Sequence, residues 1–237
     1  MSNSKLIGDI TRELKRVAET DYQKAQQWFF KEEISLLGVR VGKVRAIGNR
    51  FYSQLKGADK KEIFDTAEDL MRVDLQELRV IGTQWARKQQ KHFATKDFSR
   101  FERWLKKYVS NWAICDGVSV WLVGELLRQH PSLIPRTVSW RKSNNRWLRR
   151  AAAVALITPV RGRQNLAAVF KCADALLVDE DDMVQKGYGW LLKEASGEYP
   201  KEVFAYVQKR KGDMPRTALR YAIEKLPATK RAKAMAK

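Results

Sequence analysis

The chain has 237 residues, with 46 Lys and Arg against 27 Asp and Glu, for a formal net charge of +19. That length permits one compact domain or an extended array of repeats, and that charge predicts a polyanionic partner. Several classes have no support: the longest aliphatic run, Ala151 to Ile157, is too short to span a bilayer; Cys115, Cys172, His92 and His130 show no zinc or disulfide spacing; and neither a phosphate loop nor a G-x-S-x-G is present. No membrane association, metal, cofactor or nucleotide is therefore expected.

From the N-terminus, Met1 to Val17 alternates charged and apolar residues at helical spacing and has no signal-peptide pattern, so a cytoplasmic protein is expected. Lys5 to Val73 fits four helices, with turns near Gly38 and Gly57. Beyond it, Asp74, Asn111, Asn145, Asp182 and Asp213 each read as an N-cap opening a helix that a shorter helix follows, at intervals of 37, 34, 37 and 31 residues. Glu77 and Gln185, three residues after Asp74 and Asp182, fit capping boxes. The first helix of each pair is expected to end near Pro or Gly, as at His130-Pro131, Pro159 and Gly197. Lys230 to Lys237 reads as a frayed basic tail, leaving residues 1–229 as a single domain. Helix pairs at this period predict an all-α solenoid of HEAT-like repeats with one concave, basic face.

Counted from each expected cap, offsets of one, five and eight residues fall on one stripe, because each residue turns the helix by about 100°. The stripe holds Leu75, Arg79 and Gly82; Trp112, Asp116 and Ser119; Arg146, Arg150 and Ala153; Met183, Gly187 and Trp190; and Met214, Ala218 and Tyr221. Asp116 stands out, as the only charged residue between Tyr108 and Gly124. An ionised carboxylate in so apolar a stretch costs free energy unless something offsets it, which marks it for chemistry. Two readings are open for these residues. Trp112 and Trp190 can be inter-helix packing residues and Asp116 a buried partner of Arg150, or the mixture of aromatic, charged and small side chains can serve a ligand groove.

The sequence resembles the AlkD-like family of DNA alkylation-repair glycosylases. The resemblance is carried by Leu37-Gly38-Val39, by Ser110-Asn111-Trp112-Ala113-Ile114-Cys115-Asp116, by Trp147-Leu148-Arg149-Arg150-Ala151-Ala152 and by Gln185-Lys186-Gly187-Tyr188-Gly189-Trp190. It runs from about Ala25 to Leu226 and implies a right-handed superhelix whose concave basic groove holds duplex DNA. It further implies a catalytic set of Asp116, Trp112, Trp190 and Arg150. There are departures: Asn111 stands where relatives can have a second Trp, Ala113 where others have a polar residue, and Phe29 where a Tyr is expected. Members of the fold without glycosylase activity are also known, so fold alone does not decide function.

The implied reaction is hydrolysis of the N-glycosidic bond of N3- or N7-alkylated purines in duplex DNA, the first step of base excision repair. Alkylation gives the purine a positive charge and makes it a good leaving group, so the barrier lies at the sugar. Asp116 would stabilise an oxocarbenium-like transition state and orient the attacking water. Trp112 and Trp190 would offer π faces to the cationic nucleotide, and Arg150 would bind a phosphate while lowering the proton affinity of Asp116. Arg40, Lys43, Arg45, Arg79, Arg146 and Arg149 are candidate phosphate contacts, with Phe29 and Tyr221 as aromatic contacts on the same surface. A shallow groove implies that the damaged base need not be flipped into the protein. A monomer is expected, nucleoid-associated through DNA. A non-catalytic nucleic-acid-binding solenoid and a protein-binding scaffold are the alternatives.

Overall fold

The structure is a computed structural model that describes residues 3–236. Every regular element among the described residues is helical. The chain divides into two compact units, Met1–Phe93 with Lys107–Val118, and Ala94–Lys106 with Ser119–Lys237.

In the first unit, α1 (Asn3–Arg16) buries Leu6, Ile10 and Leu14, spaced four apart so that they share one face. It packs on α3 (Val41–Tyr52) and α4 (Lys60–Arg72), while α2 (Thr20–Trp28) buries none of its residues. A reciprocal capping box of Asp59 and Glu62 opens α4. The longest packed face of this unit joins α4 to α5 (Gln76–Lys88). The four helices expected before Val73 are present, with turns at Gly38 and Gly57, whose φ angles are +84° and +90°. Helix α6 (Asp97–Lys107) leads to α7 (Trp112–Asp116), which packs on α5.

After α7 the chain runs through a π-helical stretch, Gly117–Val123, into α8 (Gly124–Gln129). The next segment, Pro131–Lys142, is a 3₁₀ helix rather than the expected short α-helix. Pro135, inside the segment, supplies no N–H to an α-helical ladder, which disfavours α-helical winding there. Then come α9 (Arg146–Val154), α10 (Ile157–Arg161), α11 (Leu166–Ala175), α12 (Asp182–Glu198), α13 (Pro200–Arg210), α14 (Arg216–Ala222) and α15 (Ala228–Met235). Helix α12 is the hub of the second unit, packing against α9, α10, α11, α13 and α14. Much of the segment read as a frayed tail is wound into α15, where Ala234 is buried and the Lys211 ammonium donates to the Lys233 and Ala236 carbonyls.

The repeat is more regular than the sequence reading had it. The residues preceding α5, α7, α9, α12 and α14 are Leu75, Asn111, Asn145, Asp181 and Pro215, at intervals of 36, 34, 36 and 34. Asn111 and Asn145 cap as expected, each accepting a backbone N–H of the first turn. The other three expected caps are displaced. The Asp74 carboxylate pairs with Arg79 at 2.8 Å instead of capping, and Glu77 accepts the backbone N–H groups of Leu37, Gly38 and Val39 at 3.0 to 3.2 Å. Asp181, not Asp182, caps α12, and Gln185 donates to the Asp179 carbonyl rather than closing a box. Asp213 ends the turn after α13, and α14 begins only past Pro215. Helix α8 ends at Gln129, just before His130-Pro131, and α12 at Glu198, next to Gly197, as expected, whereas α9 ends at Val154 and Pro159 lies inside α10.

Candidate functional site

Burial divides the stripe that the sequence reading put on one face. Leu75, Arg79, Gly82, Ser119, Arg150, Ala153, Met183, Gly187, Met214 and Ala218 are buried, so part of it is packing surface. The half-buried or exposed members are Trp112, Asp116, Arg146, Trp190 and Tyr221, all aromatic or charged. Such side chains are the ones left accessible to a ligand.

In the first unit, the Asn111 carboxamide oxygen accepts from the Ala113 and Ile114 backbone N–H groups, and its Nδ2 donates to Gln76 Oε1 at 2.9 Å. The cap therefore both starts α7 and ties it to α5. Trp112 is the first residue of α7 and Asp116 its last, one turn apart on the same side. The Trp112 ring stacks on Phe30, with centroids 5.3 Å apart and planes 18° from parallel. Phe30 is the residue that the sequence reading missed. Its neighbour Phe29, expected as a DNA contact, is 60% exposed and meets Trp28 edge-to-face.

Arg79 is buried. Its guanidinium donates to the Met71 carbonyl and to Ser110 Oγ at 3.0 Å while pairing with Asp74, and burial lowers its pKa against the opposing pull of that carboxylate. It thus supports the residue before Asn111 instead of standing on the surface. Arg40, Lys43 and Arg45 are exposed on or beside α3; Arg40 and Lys43 pair with Glu19 at 3.1 and 2.9 Å.

In the second unit, the segment Gly187-Tyr188-Gly189-Trp190 of α12 gathers three expected residues. A Cβ on Gly187 would lie 3.1 Å from Arg150 Cγ, and one on Gly189 would lie 2.8 Å from Tyr221 Cβ. The two glycines point about 200° apart on the helix, so they admit α9 on one side and α14 on the other. Buried Arg150 donates from Nη1 to the Met183 carbonyl. Tyr188 between the glycines is fully buried, with its hydroxyl donating to the Leu177 carbonyl and its pKa pushed up by burial. Arg149 makes a two-pronged contact with Asp179 at 2.7 and 3.3 Å, and Arg146 pairs with Asp181 at 2.7 Å while lying over the Trp147 ring.

The Trp190 indole N–H donates to Glu194 Oε1 at 3.1 Å, one turn along α12. The other Glu194 oxygen takes Arg161 Nε at 2.9 Å and Lys225 Nζ at 2.8 Å. Burial alone raises the pKa of this carboxyl, but the hydrogen bonds and charges of Arg161 and Lys225 outweigh it and hold it at about 2. Sequence reading missed Glu194 as well, although its i, i+4 relation to Trp190 was a usable signal. Cys172, also fully buried, has its thiol pushed up to about 11 by desolvation and has no nucleophilic character at neutral pH. Among the described residues no group of His, Cys, Asp and Glu is placed to hold a metal ion, and no helix is long and apolar enough to cross a membrane.

The family model for DNA alkylation repair enzymes matches residues 10–226, and the chain belongs to that family. Among solved structures, one described as a predicted DNA alkylation repair enzyme from Enterococcus faecalis superposes with a TM-score of 0.79 at 16% identity, covering 89% of this chain and 97% of that one. The helical-repeat fold is therefore shared. No match is found among curated proteins.

Proposed function

We propose that this DNA alkylation repair enzyme is a glycosylase that hydrolyses the N-glycosidic bond of N3- or N7-alkylated purines in duplex DNA. The observation that carries the reading is α7 itself: a half-buried carboxylate, Asp116, one turn after a half-buried tryptophan whose ring stacks on Phe30. A cationic purine needs little help to leave, so what the protein must supply is negative charge at the sugar and a polarisable face for the cation. Asp116 supplies the first and orients the water that adds to the sugar carbon as the C–N bond breaks; Trp112 supplies the second.

The same reading gives Trp190 the part of a second aromatic face and Arg150 that of a phosphate contact. The exposed cations Arg40, Lys43 and Arg45 are sequence-independent backbone contacts, and the net charge of +19 favours that kind of binding. Arg79 acts indirectly, through Ser110. The substrate is alkylated duplex DNA, and the protein works without a cofactor.

The test is release of free alkylpurine from methylated duplex DNA by purified protein under single-turnover conditions, with Asp116→Asn as the control. Release by the parent and its loss in a folded, DNA-binding variant support the reading. Binding without release by the parent makes the protein a non-catalytic DNA-binding relative.

A further inference from the structure

Within the second unit, one buried carboxylate touches both a proposed substrate-facing residue and two cations. Glu194 is only 7% exposed, and its two oxygens divide their work: Oε1 accepts the Trp190 indole N–H, and Oε2 accepts Arg161 and Lys225. A tryptophan in a helix has two soft torsions, and neither is fixed when the ring is half-buried. A charge-assisted hydrogen bond to the indole N–H fixes the plane of the ring. The carboxylate can do this only if it is itself held, and Arg161 from the end of α10 and Lys225 after α14 hold it from two further elements.

We infer that Glu194 is a positioning residue, which sets the plane of the Trp190 indole for contact with the alkylated nucleotide. The inference rests on the glycosylase reading for its purpose. A purely structural ion-pair cluster would have the same two cations, yet it would give no consequence to the Trp190 N–H.

Three variants separate these roles. Glu194→Gln retains an amide oxygen for the indole and loses the charge; Glu194→Leu loses both; Trp190→Phe keeps an aromatic ring but removes the N–H. Glu194→Leu should lower single-turnover base release by about 10-fold, the effect of one lost hydrogen bond to a charged group. Glu194→Gln should fall between the parent and Glu194→Leu, because its one amide oxygen is a weaker, uncharged acceptor, and Glu194→Leu combined with Trp190→Phe should be no slower than Trp190→Phe alone. Arg161→Leu should lower the melting temperature and cost less of the rate than Glu194→Leu, because Lys225 still holds the carboxylate. In ¹⁵N-tryptophan spectra, the Trp190 indole resonance, identified by its loss in Trp190→Phe, should shift in Glu194→Leu and shift less in Glu194→Gln.

An additive double variant, an unmoved indole resonance in Glu194→Leu, or a rate loss in Arg161→Leu equal to that of Glu194→Leu would each overturn the inference. If the parent itself releases no base, the glycosylase reading falls instead, and Glu194 loses its catalytic purpose whatever the spectra show.

Discussion

Trp112 and Trp190 are both half-buried, but each is held differently in its own unit. Trp112 lies flat on Phe30 and is oriented through its ring face. Trp190 is oriented through its edge, by an N–H donated to Glu194. A face contact tolerates any aromatic ring, whereas an edge contact requires the indole nitrogen. The contrast shows that identical residue types can depend on quite different neighbours, and it can be broken at each end.

The largest effect should come from the carboxylate beside the face-held tryptophan. Asp116→Asn removes negative charge where positive charge develops, and base release should fall by ~10²–10⁴-fold while duplex affinity stays equal or rises. Rates from single turnover and affinities from titration check this. A folded Asp116→Asn protein that retains the parent rate would remove Asp116 from catalysis.

Next come the tryptophans themselves. Trp112→Phe should keep most of the rate, because the stack on Phe30 survives, whereas Trp190→Phe should lose about 10-fold with its hydrogen bond. Equal losses would mean that the two are held alike and that the comparison fails. Thermal melts run alongside: a packing tryptophan cut to Ala costs ~3–5 kcal/mol, so melts of the Ala variants separate lost packing from lost chemistry.

How much of this was readable beforehand depended on whether the deciding contact was local. Asn111 and Asn145 were legible as caps because a short polar side chain ahead of an apolar run has its partner two or three residues away. Asp74 fits the same pattern and fails, because Arg79 competes for its carboxylate and Glu77 is drawn to the Leu37–Val39 backbone about 40 residues away. Phe30, the ring that stacks on Trp112, went unread for another reason. Helix α2 ends at Trp28, so helical periodicity no longer says which aromatic turns inward. Asp116, by contrast, was conspicuous in the sequence because charge is rare in an apolar stretch, and that signal needs no tertiary knowledge.

A smaller effect should appear as pH dependence of stability in the unit that holds Trp190. Glu194 titrates at about 2 in the folded protein against an ordinary 4.5. A depressed folded pKa means that its stabilisation is fully present above the ordinary value and is lost as pH falls through the folded one. The gap in melting temperature between the parent and Glu194→Gln should therefore be widest near neutrality and should narrow as pH is lowered toward about 2. A constant gap would show that Arg161 and Lys225 do not depend on the carboxylate charge.

The smallest effects concern cations, and they again separate the two units. Lys43 is exposed on α3 and pairs at the surface with Glu19, whereas Arg150 is buried and donates to the Met183 carbonyl. If each contacts one phosphate, either change to Ala should make the slope of log affinity against log salt shallower by about 0.9. Only Arg150→Ala should also lower the melting temperature, because it removes a buried charge-assisted hydrogen bond from α9 to the α12 backbone, at a cost of about 1.5–3 kcal/mol. Only Arg150→Ala should slow base release at saturating enzyme, since Lys43 contributes to binding and not to the reacting nucleotide. Salt titrations paired with melts and single-turnover rates read all three quantities on the same proteins. An unchanged slope for Arg150→Ala, together with a lowered melting temperature, would make Arg150 a tie between α9 and α12 and leave phosphate binding to the exposed cations of α3.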